Sequence, residues 1–381
     1  MRAHAAAQAE PTAAEAARGG EEDEESDTLG ELKGAATHRG VAPARAPSTY
    51  QPVPSDDCFA SALEVDIPLS DPAGGAETDV ATMRTYFSPP ASAPGGFLAG
   101  RTVFVCHHGA GFSALSFALM AREITRRTGG EVGVLAYDCR GHGRSRFPSA
   151  AVRDMSLDAL RDDLIGLVTT LFPMRAERPR LVLVGHSMGG AVVVAAAHAL
   201  QARQAADLAG VAMIDIVEGT SLRLLPEMVH IVRRRPEAFV SVPSAIQWHV
   251  ESGTIRNVES ARRSVPPLVR EKAETRGLPW HWVCNLLATE PFWKGWFTGL
   301  SRAFLTTKTA RLLILAESEN LDQELTIGQM QGKYQLVISP DAGHCVQEDM
   351  PVDTAKTLVH FWRRNEVLPA GVPGIRKVGE V

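Results

Sequence analysis

Residues 185–189 read Gly-His-Ser-Met-Gly, between an apolar run at 181–184 and an Ala/Val-rich stretch at 189–203. A G-x-S-x-G segment carries weight where a strand feeds directly into a helix. Leu181, Val182, Leu183 and Val184 predict a buried strand, and the Ala/Val stretch predicts the helix. So tight a turn forces Ser187 out of the usual backbone regions. Glycines two residues to either side remove the side chains that would collide. The serine hydroxyl is then exposed at the strand end, with a helix N-terminus behind it. The bland alternative is a chance match at some helix start, which would not require this flanking pattern.

From Thr102 onward, short β-branched runs alternate with longer helical ones. Strands are predicted at 102–106, 132–137, 181–184, 211–216, 312–315 and 335–338. Helices are predicted at 113–127, 156–171 with a Ser cap, 189–203 and 351–364. Apolar strands alternating with helices predict a mostly parallel sheet covered by helices on both faces. Together with the serine turn this is an α/β-hydrolase fold. The alternation breaks between about 217 and 304, a segment holding Trp248, Trp280, Trp282, Trp293 and Trp296, five of the chain's six tryptophans. A mainly helical insertion there would cap the carboxyl ends of the strands, where open α/β sheets place their sites, and would select substrate. Residues 1–48 are rich in Ala, Gly and Glu, carry an acidic run at 21–25, and are expected to be a disordered tail before one hydrolase domain at 49–381.

Charge and cysteine usage narrow the function classes. A net charge of −5 does not suggest a nucleic-acid or anionic-membrane surface. The first residues lack the apolar core of a signal peptide. The most apolar run, 191–197, falls far short of the roughly 20 residues a membrane helix needs. Cys58, Cys106, Cys139, Cys284 and Cys345 are odd in number and far apart, with no CxxC. That pattern predicts free thiols in a reducing compartment, cytoplasmic or nuclear, and neither a metal site nor a cofactor.

A serine hydroxyl needs a base. His344, in Asp-Ala-Gly-His after the last strand, is placed to reach back over the sheet. His107, His108, His142 and His186 fit structural hydrogen bonding better. The imidazole needs a carboxylate to fix its tautomer, and chain order leaves two. Asp215 ends the strand after the nucleophile helix; Asp322 follows the strand at 312–315. Position alone does not separate them, and the one not used would cap a helix or pair with a cation. The oxyanion is expected at the backbone N–H of Met188 and of Ala110, in His-His-Gly-Ala-Gly. The turn at 138–145 is read as structural. A serine at this turn argues against dehalogenases and epoxide hydrolases, and the motif chemistry alone stops at acyl transfer to water.

The insertion carries a resemblance. Ile214-Asp215-Ile216-Val217-Glu218-Gly219-Thr220, Arg235-Pro236 with Ala245-Ile246-Gln247-Trp248, the stretch 252–262, Trp296-Phe297-Thr298-Gly299-Leu300-Ser301 and the Leu-Thr-Ile-Gly-Gln-Met-Gln-Gly-Lys run at 325–333 resemble the protein phosphatase methylesterases. The similarity spans about 50–362. It implies removal of a methyl ester from the C-terminal leucine of the type-2A protein phosphatase catalytic subunit, by a Ser-Asp-His triad on Ser187, Asp215 and His344. The same resemblance favours Asp215 over Asp322. Arg233, Arg234, Arg235 and Arg256 are expected to hold that subunit's acidic tail; a solvated basic face is the plain alternative. The turn at 138–145, extra residues around 201–207, the long tail and the stretch 71–94 depart from the family pattern. A small-molecule esterase, or a phosphatase-binding regulator, are the competing readings.

Overall fold

The computed structural model describes residues 48–69, 79–91, 98–173, 178–273, 277–317 and 321–366. The tail through residue 47 lies outside them, as does part of the stretch 71–94. The strands are β1 Ser61–Pro68, β2 Val80–Ser88, β3 Thr102–His107, β4 Gly133–Tyr137, β5 Arg180–His186, β6 Asp207–Ile214, β7 Ala238–Phe239, β8 Val269–Glu271, β9 Trp280–Trp282, β10 Arg311–Leu315 and β11 Gln335–Ile338. The main sheet has the order β1-β2-β4-β3-β5-β6-β10-β11. Its first two pairings, β1–β2 and β2–β4, are antiparallel and all later ones parallel. β3 has β4 on one side and β5 on the other, so the winding reverses there. A crevice at the carboxyl ends of such strands is where this architecture admits a ligand.

Each central strand is apolar on both faces because both are covered. Val103 and Val105 of β3 join Leu181, Leu183, Val211 and Met213 beneath helices Leu157–Leu171 and Met188–Ala202. Phe104 and Cys106 point the other way, with Val182, Val184, Ala212 and Ile214, onto helices Ala118–Thr128 and Pro351–Asn365. A fully buried side chain of this size contributes about 1.5–3 kcal/mol. The sheet is therefore the rigid frame for whatever its strand ends carry.

Several elements differ from the sequence reading. The hairpin β1–β2 was not anticipated, although Leu63, Val65 and Ile67 alternate with Glu64 and Asp66 in the period-2 pattern of a half-buried strand. The stretch expected as one helix at 113–127 opens as a 3₁₀ turn, Ala114–Phe117, before helix Ala118–Thr128. Asp138 Oδ1 accepts the Ala114 N–H at 2.8 Å and holds that first turn. β6 begins earlier than expected and stops at Ile214, because Asp215 turns to φ 50°.

The insertion between β6 and β10 is not helical throughout. Beside helices such as Glu218–Arg234, Val242–Glu251 and Glu290–Phe297 it contains a small antiparallel sheet, β7-β9-β8. Its core, including Phe239, Ile246, Ile255 and Leu268, also takes in Cys345, the residue after His344. A buried carboxyl reinforces that join. Glu348 Oε2 accepts the hydroxyls of Ser260 at 2.8 Å and Ser264 at 2.6 Å.

Two predictions follow from this packing. A Cβ on Gly185 would run into the backbone of Gly189, whereas one on Gly295, in helix Glu290–Phe297, meets nothing within 4 Å. Gly185→Ala should cost about 3 kcal/mol or more, and Gly295→Ala should stabilise by about 0.5–1 kcal/mol, read from urea unfolding. Burial pushes the Glu348 carboxyl from its ordinary 4.5 up to about 8. The folded state then holds a proton that the unfolded chain releases, so stability should fall as pH rises from 4.5 toward about 8. Glu348→Gln should flatten that decline in unfolding curves taken at several pH values; an unchanged slope would count against the buried acid.

Candidate active site

Ser187 stands between β5 and helix Met188–Ala202 with φ 51° and ψ −124°, a conformation that costs a non-glycine residue about 1–3 kcal/mol. The turn is held from both sides. The Ser187 N–H donates to Ile214 O at 2.9 Å, and the Gly190 N–H donates to Ser187 O at 2.7 Å. The glycines have the work expected of them, since a Cβ on Gly189 would strike the His107 carbonyl. Gly109 is equally constrained: a Cβ there would lie 2.9 Å from His186 Nδ1 and 3.1 Å from Ser187 Cβ. The oxyanion-loop candidate therefore packs directly against the serine turn.

His344 lies on the loop between β11 and the short helix Val346–Asp349. Its ring Nδ1 is 2.7 Å from Asp215 Oδ2. The other oxygen of Asp215 accepts the Ala316 N–H at 2.9 Å. With Nδ1–H given to the carboxylate, Nε2 carries the lone pair a general base needs. Asp322 is occupied elsewhere. Its Oδ1 caps helix Gln323–Met330 through the Leu325 N–H at 2.9 Å, and its Oδ2 accepts the Ser301 hydroxyl at 2.5 Å.

Ser187, Met188, Ala110, Asp215 and His344 line one cavity of about 250 Å³. Its walls come mostly from the insertion and are apolar, among them Leu224, Leu225, Met228, Trp293, Trp296 and Phe297. Among the described residues the Ser187 hydroxyl and the His344 ring face this space without a hydrogen bond between them. Met188 opens its helix, so its N–H has no intrahelical acceptor. The neighbouring Gly111 N–H, in contrast, is taken by His142 Nε2 at 2.9 Å.

The other nearby histidines are buried and neutral. Burial lowers His107 and His142 to about 4 and His186 to about 3, and holds His108 well below its ordinary value. His186 does the structural hydrogen bonding expected of it, although its partner was not foreseen. Its Nε2–H donates to the His344 carbonyl at 2.8 Å, and the two rings lie 4.8 Å apart. Asp349 was also missed. It accepts the Gly343 N–H at 2.8 Å and the Arg256 N–H at 2.7 Å, fixing the histidine loop to the insertion.

The four arginines separate. Arg233 and Arg234, in the last turn of helix Glu218–Arg234, are exposed and absent from the cavity wall. Arg256 lies at the wall, exposed, and donates to Asp341 O at 3.3 Å. Arg235 lines the cavity with its guanidinium 4.1 Å from the Trp282 ring and 5.8 Å from the Trp248 ring. Among the described residues no cluster of His, Cys, Asp and Glu is arranged to hold a metal, and no helix is long and apolar enough to cross a membrane.

The sequence pattern of the alpha/beta hydrolase family matches residues 103–357. Protein phosphatase methylesterase 1 of Cryptococcus neoformans var. neoformans serotype D is 43% identical over 386 aligned residues, covering 93% of this chain and 88% of that protein. The protein of the same name from Gibberella zeae is 45% identical over 285 residues, covering 73% of this chain and 70% of that protein. Among solved structures, a peroxisomal alpha-beta-hydrolase from Saccharomyces cerevisiae matches with a TM-score of 0.60 at 14% identity, over 83% of this chain and 93% of that one, a likeness of fold.

The two aspartates make a direct comparison. Asp215→Asn should lower kcat on an ester substrate by about 10³–10⁴. Asp322→Asn should keep most activity and cost about 1 kcal/mol of stability as a lost cap. Steady-state rates and urea midpoints measured on both variants decide it, and the opposite ranking would overturn the assignment.

Proposed function

Because the chain belongs to the protein phosphatase methylesterase 1 family of α/β-hydrolases, we propose that Ser187, His344 and Asp215 remove the methyl ester from the C-terminal leucine of the type-2A protein phosphatase catalytic subunit. The observation that carries the reading is the His344–Asp215 contact of 2.7 Å at the cavity onto which the strained Ser187 opens. Ser187 Oγ attacks the ester carbonyl while His344 Nε2 takes its proton. The tetrahedral oxyanion lies against the N–H groups of Met188 and Ala110. Its collapse expels methanol, protonated by His344, and leaves an acyl-serine. Water, deprotonated by His344, attacks that acyl group and releases the free carboxylate and Ser187. Asp215 holds the ring tautomer and stabilises the imidazolium in both halves.

The reacting group is small and the cavity wall broad and apolar, which supports a substrate whose terminal residue is itself apolar. All five cysteines are unpaired, four of them buried, which supports a reducing compartment, cytoplasm or nucleus.

The test is release of methyl groups from the methylated phosphatase. Ser187→Ala should reduce it by at least about 10³ while leaving the thermal midpoint close to that of the wild type. A variant that still demethylates would remove Ser187 as nucleophile. A wild type that cleaves small esters but leaves the phosphatase methylated would make this a small-molecule esterase. An alanine variant that no longer demethylates yet alters phosphatase activity would add a binding role.

A further inference from the structure

Among the described residues, Arg235 is a cation without a counter-ion in an apolar wall. It follows directly on helix Glu218–Arg234, and its guanidinium lies over the Trp282 and Trp248 rings at 4.1 and 5.8 Å. Trp282 is itself fixed, donating its indole N–H to Pro236 O at 2.7 Å. A Cβ built on Gly111 would come 3.5 Å from Arg235 Nη1, which places the cation beside the loop that carries Ala110. Among the described residues no carboxylate pairs with it. Several other half-buried and buried arginines have one: Arg140 with Asp163 at 2.6 Å, Arg263 with Asp57 at 3.3 Å, Arg122 with Asp57 at 2.6 Å. The half-buried Arg178 and Arg311 lack one but donate to backbone carbonyls instead, which Arg235 does not among the described residues.

A guanidinium cannot shed its charge by losing a proton. Two aromatic faces return only part of its lost hydration. What the position lacks is an anion, and the planar fork suits a carboxylate above other anions of similar size. A methyl ester offers no charge, so the carboxylate has to come from elsewhere on the reacting chain. Two sources supply it: the C-terminal carboxylate created by hydrolysis, or an acidic side chain upstream of the ester.

Building on the methylesterase reading, we propose that Arg235 forms a carboxylate-binding subsite inside the catalytic cavity, set by the two tryptophans and aimed past the oxyanion loop. Arg233 and Arg234, exposed in the helix's last turn, take no part in it. The subsite acts on specificity and product release, with the bond-making left to Ser187 and His344.

The experiment uses the full chain and three synthetic peptides ending in leucine: a methyl ester with an upstream Glu, the same ester with Gln in its place, and the free acid of the Gln peptide. Turnover of p-nitrophenyl acetate, checked for dependence on Ser187, runs beside them. If the side chain is the ligand, wild type should favour the Glu ester by at least about tenfold in kcat/KM, and Arg235→Met should bring that ratio close to one. If the product carboxylate is the ligand, the free acid should inhibit wild-type acetate turnover at least about tenfold more strongly than that of Arg235→Met. Arg234→Met should leave both ratios as in wild type. Arg235→Lys keeps the charge without the fork and should retain part of either effect, so the proposal stays testable should the Met variant fold poorly. Equal ester ratios and equal inhibition across wild type and the Arg235 variants would overturn the subsite. A wild type that hydrolyses neither the peptide esters nor the methylated phosphatase would sink the methylesterase reading, and the inhibition arm would still decide Arg235.

Discussion

The hydrogen bond between Asp215 and His344 joins residues 129 positions apart in the chain. Asp215 follows β6, His344 follows β11, and between these strands lies β10, whose following residue Ala316 gives its N–H to the same carboxylate. Three strand ends thus converge on one side chain. Asp215 accepts a left-handed backbone, φ 50°, to reach them. A strained residue persists only where its surroundings fix it from several directions, and here they do: its N–H donates to Ile314 O at 2.7 Å, and its two oxygens are each engaged. Ser187 repeats the device on β5. Its N–H donates to Ile214 O, one residue before Asp215, so the two strained residues brace each other across adjacent strands.

That arrangement matters because His344, the proposed base, sits on a loop, and loops are the mobile parts of a fold. The loop is fixed at three places: the ring by Asp215, the His344 carbonyl by His186, and the Gly343 N–H by Asp349. Cys345 sinks into the insertion's core, and Glu348 binds two serines of helix Val258–Ser264. The insertion is therefore coupled to the His344 loop as well as roofing the cavity. A shift of helix Val258–Ser264 would be felt at His344 through these contacts.

Legibility in the sequence followed how local each constraint is. The serine turn was readable because its needs, small residues at fixed offsets and a strand-to-helix change, lie within a few positions of Ser187. The alternating strands and helices from Thr102 onward were readable for the same reason. The choice between Asp215 and Asp322 was not, since both follow core strands. What separates them is that Asp322 lies one residue ahead of a helix and spends its carboxylate on the Leu325 N–H. The hairpin β1–β2 carried its signal in plain alternation at Leu63, Val65 and Ile67, yet it lies ahead of the regular pattern that framed the reading. The small sheet of the insertion left little signal, because strands of two or three residues are shorter than any periodicity can establish. Three consecutive arginines looked equivalent; the end of helix Glu218–Arg234 decides that Arg235 alone of the three turns into the cavity wall.

Selectivity has to be built from the materials this wall provides. Apolar contact is proportional to area and indifferent to direction. Leu224, Met228, Trp293, Trp296 and Phe297 can therefore hold an apolar terminus in several poses without fixing which carbonyl meets Ser187. Attack needs the reacting atoms held within a fraction of an ångström, so something directional must set the register. The proposed oxyanion N–H groups of Met188 and Ala110 would act only at the reacting carbonyl. A charged, planar group braced on two aromatic rings, as proposed for Arg235, would supply a second point, and two points orient an extended peptide where one does not. An uncompensated cation is costly in such a wall when the cavity is empty, and that cost is the physical reason an anion arriving with the substrate would be bound there rather than at the exposed arginines beside it.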